Sequence, residues 1–159
     1  MRSIAKLIAV AGWCALAAGA CSAQPAQNNV VAVKATDPEM NAAKAKAIAE
    51  LPAFFARFAR PAADEGNFMV KFDIDPKGDP EFIWAGDLQQ TGDQLTGVLS
   101  DDAVYAPGKA GDRVAIPRSA IIDWGYTRAG VMQGSYTTRV LLGRLSPEEA
   151  ARVRESLGW

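Results

Sequence analysis

The sequence predicts an α+β domain in which a curved antiparallel sheet of five or six strands packs one face against a single long helix. Three observations support this prediction. Apolar residues recur at three- and four-residue steps in the first half of the chain. Short segments of alternating apolar and polar residues then follow, separated by turn sequences rich in Gly, Asp and Pro. Short connections of this kind favour antiparallel pairing, and one amphipathic helix can cover one face of such a sheet.

The N-terminal 20 residues are predicted to be a lipoprotein-type signal peptide and not part of this domain. Arg2 and Lys6 precede the apolar run LIAVAGWCALAAGAC, which is short and Ala-rich for a membrane span. Small residues lead into Cys21, which would be lipidated and become the mature N-terminus. The alternative is ordinary cleavage after Ala20 or Ala23, which would release a soluble periplasmic protein.

The segment 21–36 is predicted to be a flexible tether, and 37–159 a single domain, because the tether is polar, small and without sustained periodicity. Ser22, next to the lipidated cysteine, is not a retention signal of the aspartate type. In a cell with two membranes the expected location is therefore the periplasmic side of the outer membrane. The expected partners are the membrane, through the N-terminal lipid, and an envelope protein.

Composition excludes several kinds of chemistry. The chain contains no histidine, so it has no Ser-His-Asp or Cys-His arrangement and no His-ligated zinc. Without the signal peptide, 15 basic and 18 acidic residues remain, a net charge of about −3 with no basic block. Nucleic acid is therefore not an expected partner. No cofactor motif is present, and no catalytic residue is predicted.

The segment DIDPKGDPE is the best candidate for a metal site, because Asp73, Asp75 and Asp79 are spaced loosely like a calcium loop. Lys77 takes the fifth position of such a loop, however, and Trp84 stands where a bidentate Glu is needed. The sequence therefore predicts a hairpin turn here, and no metal.

The long helix is predicted to begin at TDPEM. Thr36 or Asp37 can cap it, and Pro38 suits the first helical position. Pro52 is expected to kink the helix or split it in two, because proline cannot donate to the carbonyl four residues back. The apolar stripe consists of Met40, Ala43, Ala47, Ile48, Leu51, Phe54, Phe55 and Phe58.

Strands are predicted in the middle of the chain. FMVKFDI places Phe68, Val70, Phe72 and Ile74 on one face. EFIWAGDL returns with Phe82, Trp84 and Leu88 on one side, and LTGVL and DRVAIP supply further short strands. Near the C-terminus, Ser146, Pro147 and Glu149 form a capping box that begins a short helix.

The stretch IIDWGYTRAGVMQGSYTTRVLL is predicted to be a hairpin with two possible registers. A two-residue Ala129-Gly130 loop is disfavoured, because primed turns prefer Gly or Asn at the first position. A type I turn followed by Gly130 as a left-handed bulge is preferred, with a second strand that continues to Leu142. This register pairs Trp124 with Gly134, so that the indole ring covers the backbone that a glycine exposes.

Two sets of side chains follow from this hairpin. The polar face is predicted to be a strip that contacts a ligand or partner, and substitutions in it are expected to cost little stability; the competing interpretation is a solvated strand face. The strip consists of Asp123, Ser135, Thr137 and Arg139. The aromatic residues assigned a structural role are Trp84, Trp124, Tyr126 and Tyr136.

The order of short motifs resembles a known bacterial family. LPAFFARF, IW, GVL, GDRV, IIDW and GSYTTR occur in the order found in the YegJ-like bacterial proteins known as domain of unknown function 2314. The resemblance covers residues 40–142, and SDDA departs from the pattern at the segment after GVL, where the family often has an Asn. The resemblance supports the fold and implies no mechanism.

Two classes of function are compatible with these features. The preferred hypothesis is an exported bacterial envelope protein that acts as a non-catalytic binding module. The alternative is a carboxylate-dependent hydrolase that acts on an envelope component. Two carboxylates that converge in a concave pocket with perturbed pKa values would distinguish the second class from the first.

Overall fold

The computed structural model describes residues 36–159 apart from Asp79 and Gly158. The predicted signal peptide, the lipidation site Cys21 and nearly all of the tether lie outside the described residues.

The described region has the predicted α+β architecture, with one six-stranded antiparallel sheet in the order β4-β3-β2-β1-β5-β6. One long helix precedes the sheet and two short helices follow it. The elements are α1 (Pro38–Ala59), β1 (Glu65–Asp73), β2 (Phe82–Thr91), β3 (Gln94–Leu99), β4 (Arg113–Ala115), β5 (Ile121–Arg128), β6 (Val131–Gly134), α2 (Tyr136–Leu142) and α3 (Pro147–Leu157).

Helix α1 begins as its sequence predicts. A carboxylate oxygen of Asp37 accepts the backbone N–H of Met40 at 3.0 Å, and Pro38 occupies the first turn. The helix is continuous for 22 residues and includes Pro52, so the prediction that it could split there is wrong, while a kink stays a prediction. A hydrogen bond of 2.9 Å from Trp124 Nε1 to the carbonyl of Ala47 ties the helix to β5.

The core lies between α1 and one face of the sheet. Val70 and Phe72 of β1 are buried there, with Phe68 and Ile74 packed around them, which confirms the predicted face of that strand. The ring of Phe54 lies 5.3 Å from that of Trp124, centroid to centroid, and its side chain is 1 % exposed. Buried aromatic pairs of this kind contribute about 0.5–1.5 kcal/mol beyond the area that they remove from water.

The predicted face of β2 is wrong. Trp84 pairs with Lys71 and lies on the face away from α1, where the Lys71 Nζ atom is 5.9 Å from the indole centroid. The pairing of β2 with β3 shifts between Gly86 and Gln89, and Asp87 has a φ of 43°. Because this bulge reverses the alternation, Leu88 faces the core together with Ile83 and Ala85 instead of with Trp84.

The predicted register of the last hairpin is also wrong. Arg128 pairs with Val131, and Gly125 pairs with Gly134, so the loop is the two-residue Ala129-Gly130 alternative. Both loop residues have positive φ, 47° and 76°, as a primed turn requires. The left-handed conformation of an alanine costs about 1–2 kcal/mol. A hydrogen bond of 2.8 Å from the Ala129 N–H to the carbonyl of Asp64 helps to hold it.

Strand β6 ends at Gly134, and the chain enters α2 where the sequence analysis expected a strand to continue to Leu142. Gly134 and Ser135 both have left-handed backbones, with φ values of 71° and 54°, which turn the chain out of the sheet. Thr137 and Arg139 therefore belong to a helix and not to the hairpin.

Helix α3 has the predicted capping box. Glu149 Oε2 accepts the backbone N–H of Ser146 at 3.0 Å, and the Glu149 N–H donates to Ser146 Oγ at 3.3 Å. Among the described helices, none combines the length and the apolar character that a membrane span needs.

Candidate functional site

The predicted polar strip does not form a surface, because most of it is buried. Asp123, Ser135 and Thr137 are 0 %, 2 % and 1 % exposed, respectively. The Asp123 carboxylate accepts backbone N–H groups from Trp124 at 2.9 Å, Tyr136 at 3.2 Å and Thr137 at 2.7 Å. It also accepts the Thr137 hydroxyl at 2.7 Å. These contacts make a buried hydrogen-bond network, which replaces the expected ligand-binding strip.

This network explains why a helix begins directly after β6. The residue at the N-cap position, Ser135, makes no side-chain capping bond. The carboxylate of Asp123 on β5 receives the first N–H groups of α2 instead, and it places a negative charge at the positive end of the helix. Burial raises the pKa of Asp123 above its ordinary value, while the hydrogen bonds from Thr137, Trp124 and Tyr136 oppose that effect.

Two facing glycines make room for this arrangement. A Cβ atom at Gly134 would lie 2.4 Å from the Trp124 carbonyl oxygen and 2.6 Å from atoms of its indole ring. A Cβ atom at Gly125 would lie 2.6 Å from Ser135 Oγ. The indole of Trp124 therefore covers the backbone of Gly134 as expected, although Gly134 pairs with Gly125 and not with Trp124.

Arg139, the fourth residue of the predicted strip, is exposed, but its guanidinium is hydrogen-bonded to backbone carbonyls of the same chain. Its Nε and Nη2 atoms donate to the carbonyls of Gly134 and Met132 at 2.8 Å and 2.9 Å. Its guanidinium lies 4.7 Å from the ring centroid of Trp159. Strand β6 is an edge strand of the sheet. Unpaired carbonyls of an edge strand can form hydrogen bonds with a strand of another chain, and Arg139 occupies two of them.

The structure has a concave surface next to this network, an open cleft of about 300 Å³ between α1 and the β5–β6 hairpin. Phe54, Trp124 and Tyr126 are buried at 1–6 % exposure and supply its aromatic part. Polar and charged groups surround that part. The cleft residues are Glu50, Ala53, Phe54, Arg57, Trp124, Tyr126, Gln133, Gly134 and Tyr136.

The polar groups of the cleft are connected by hydrogen bonds. The Tyr136 hydroxyl donates to Glu50 Oε2 at 2.5 Å. Burial, that hydrogen bond and the charge of Glu50 raise the pKa of Tyr136 to about 12, so the hydroxyl remains a proton donor at neutral pH. Arg57 Nη1 donates to Glu65 Oε1 at 2.8 Å, and its guanidinium lies 6.0 Å from the ring centroid of Tyr126.

The structural aromatics of the sequence analysis fall into two groups. Trp124 and Tyr126 are in the core cluster and Tyr136 packs against it, and all three also line the cleft. Trp84 is half-buried on the opposite face and is not part of that cluster. No sequence pattern singled out Glu50, Ala53, Arg57 or Gln133, although the first three lie at three- and four-residue steps along one edge of the apolar stripe of α1.

The carboxylates of the described residues do not gather into a metal site, since no group of three or more acidic or cysteine side chains lies close enough to hold an ion. Asp73, from the calcium-like segment, accepts the N–H groups of Asp75 and Glu81 at 3.2 Å each and so stabilises the turn. Asp79 lies outside the described residues.

The fold and cleft define a small α+β protein built on one antiparallel sheet. The chain belongs to the family described as an uncharacterized protein conserved in bacteria (DUF2314), whose model matches residues 37–159. The match extends beyond the resemblance over 40–142 and includes α1, α2 and α3. Neither the curated proteins nor the solved structures gave a match to this chain.

Proposed function

We propose that this protein is a non-catalytic binding module of the bacterial envelope and that the cleft between α1 and the β5–β6 hairpin is its binding surface. The observation that carries the proposal is the composition of the cleft. Buried rings of Phe54, Trp124 and Tyr126 are bordered by the polar groups of Glu50, Gln133 and Tyr136. A concave, mostly apolar surface with a few placed polar groups is the usual form of a ligand site.

The proposed location is the periplasmic side of the outer membrane, with a lipid on Cys21 as the anchor and an envelope protein as the partner. The basic start at Arg2 and Lys6, the apolar run after it and the small residues before Cys21 support this location. Mass spectrometry of the mature N-terminus is expected to find a lipidated Cys21. An unmodified N-terminus at Cys21 or Gln24 would contradict the anchor.

Replacing Ala53 with tryptophan tests the binding surface. Ala53 is an exposed residue of α1 that lines the cleft, so a large ring there is expected to fill the cleft and leave the core intact. Capture of an envelope component by the full-length tagged chain should fall by about tenfold or more, which corresponds to about 1.4 kcal/mol of binding free energy.

Ala45→Trp is the matched control, because Ala45 is exposed on the same helix and does not line the cleft. It should leave capture unchanged. If the Ala53→Trp variant recovers the same components in the same amounts as the unmodified chain, the cleft is not the binding surface.

A carboxylate-dependent hydrolase has less support from the cleft. Such a mechanism needs two converging carboxylates, and Glu50 is the acidic residue among those that line the cleft. The nearby Glu65 is engaged by Arg57 and by the Ala62 N–H at 3.1 Å.

A further inference from the structure

One negative group that lines the cleft forms no ion pair with the described residues. The guanidinium of Arg57 is paired with Glu65 at 2.8 Å. The carboxylate of Glu50 accepts a hydrogen bond from the neutral hydroxyl of Tyr136, and none of the ion pairs among the described residues includes Glu50. Glu50 is therefore the charged group of the cleft lining that forms no ion pair with the described residues.

The aromatic rings beside Glu50 already attract cations from their own chain. The Nζ atom of Lys46 lies 4.6 Å from the ring centroid of Tyr136, and the guanidinium of Arg57 lies 6.0 Å from that of Tyr126. The rings of Trp124 and Tyr136 meet edge-on, at 90° with centroids 5.8 Å apart, next to the Glu50 carboxylate. An aromatic face beside a carboxylate is a favourable environment for an organic cation.

The same groups disfavour other ligands. An anionic ligand that filled the cleft would face Glu50 at close range. A neutral ligand would displace water from the Glu50 carboxylate and supply no opposite charge in its place. Removing water from an ionised group in this way is costly. A ligand with a positively charged nitrogen would compensate the carboxylate as it covers it.

We infer that the cleft selects a ligand that carries an ammonium group on a short apolar stem, with the nitrogen at Glu50 and the stem against the rings of Trp124 and Tyr136. This inference rests on the proposed function, because it requires the cleft to be the binding surface. A volume of about 300 Å³ suits a small amine more than a large rigid molecule.

The test uses n-butylammonium as the probe, with n-butanol and butyrate as neutral and anionic comparisons, and the full mature chain in detergent. The readout is the NMR signal of the indole N–H of Trp124, a residue that lines the cleft and donates this N–H to the Ala47 carbonyl. We expect n-butylammonium to shift this signal in the millimolar range, with affinity at least about tenfold higher than that of either comparison compound.

Glu50→Gln removes the charge and keeps an oxygen for the Tyr136 hydroxyl, so it should weaken n-butylammonium binding about tenfold without a loss of fold. Glu148→Gln is the matched control, because Glu148 is exposed on α3, and it should bind as the unmodified chain does. Ala53→Trp should prevent the shift and serves as a second variant if Glu50→Gln does not fold.

The inference is overturned if n-butanol or butyrate binds as well as n-butylammonium, if Glu50→Gln binds the amine with unchanged affinity, or if no probe shifts the indole signal. The proposed binding surface survives each of these results if the Ala53→Trp variant still fails to capture the envelope component. Retention of that component by Ala53→Trp would instead refute the proposed function.

Discussion

Replacing Asp123 with alanine is expected to destabilise the domain by about 3–5 kcal/mol, the range for removing one member of a buried charged network. The carboxylate is fully buried and accepts hydrogen bonds from Trp124, Tyr136 and Thr137. Without it these donors remain buried and unpaired, at about 1–3 kcal/mol each before the structure relaxes. Urea unfolding followed by circular dichroism measures the change.

Two further variants separate this network from ordinary surface charge. Thr137→Val removes one hydroxyl donor and should cost about 1–2 kcal/mol. Asp64→Ala removes an exposed carboxylate 3.4 Å from Arg128 and should cost less than about 1 kcal/mol. If Asp123→Ala is no more destabilising than Asp64→Ala, the carboxylate does not hold the β5–α2 junction together.

Replacing Trp124 with alanine is expected to cost about 3–5 kcal/mol in the free energy of unfolding, the range for a large aromatic side chain in a core. The indole is 6 % exposed, stacks with Phe54 and covers the backbone of Gly134. Its Nε1–H also donates a hydrogen bond to the Ala47 carbonyl of α1. The variant therefore loses packing and one of the contacts between helix and sheet.

Trp84→Ala is the matched comparison for Trp124→Ala, because it is the same substitution at a half-buried position on the opposite face of the sheet. It should cost about 1–2 kcal/mol, since less apolar area is removed from contact. Circular dichroism is the appropriate readout for both variants, because tryptophan fluorescence changes with the substitution itself. Equal losses at the two positions would show that the core is not centred on α1 and Trp124.

The cleft and the core share residues, which links binding to stability. Trp124 and Tyr126 are buried in the core and line the cleft, whereas Glu50, Ala53 and Gln133 contribute mainly to its border. Substitutions at the border can therefore test binding with little effect on the fold. Substitutions of the rings change both properties, so a loss of binding in those variants has two explanations.

Local signals in the sequence were sufficient for the class and for several elements. Asp37 and Pro38 begin α1, and Ser146 and Glu149 begin α3, because a helix cap depends on residues within one turn of each other. The alternation around Val70 and Phe72 identified the buried face of β1. These features depend on neighbours along the chain, and they are sufficient to predict an antiparallel α+β domain.

Only the tertiary structure decided where the polar residues of the hairpin lie. The bulge at Asp87 reverses the faces of β2, and the turn at Ala129 sets a register that local turn preferences disfavour. Asp123 becomes buried because it caps a helix that begins 13 residues later, at Tyr136. In isolation, each of these positions has a different local optimum, and packing against distant segments overrides it.

The candidate site was likewise outside the reach of sequence patterns. Glu50 and Tyr136, which meet in the cleft, are separated by 86 positions in the chain. The sequence by itself determined α1, α3, most of the strands and the apolar residues available for a core. The tertiary structure decided which polar groups are buried in hydrogen bonds, such as Asp123, and which line the cleft, such as Glu50. This outcome depends on how α1 packs against β5 and on which hydrogen-bond donors surround each carboxylate, and both are set by residues far apart in the chain.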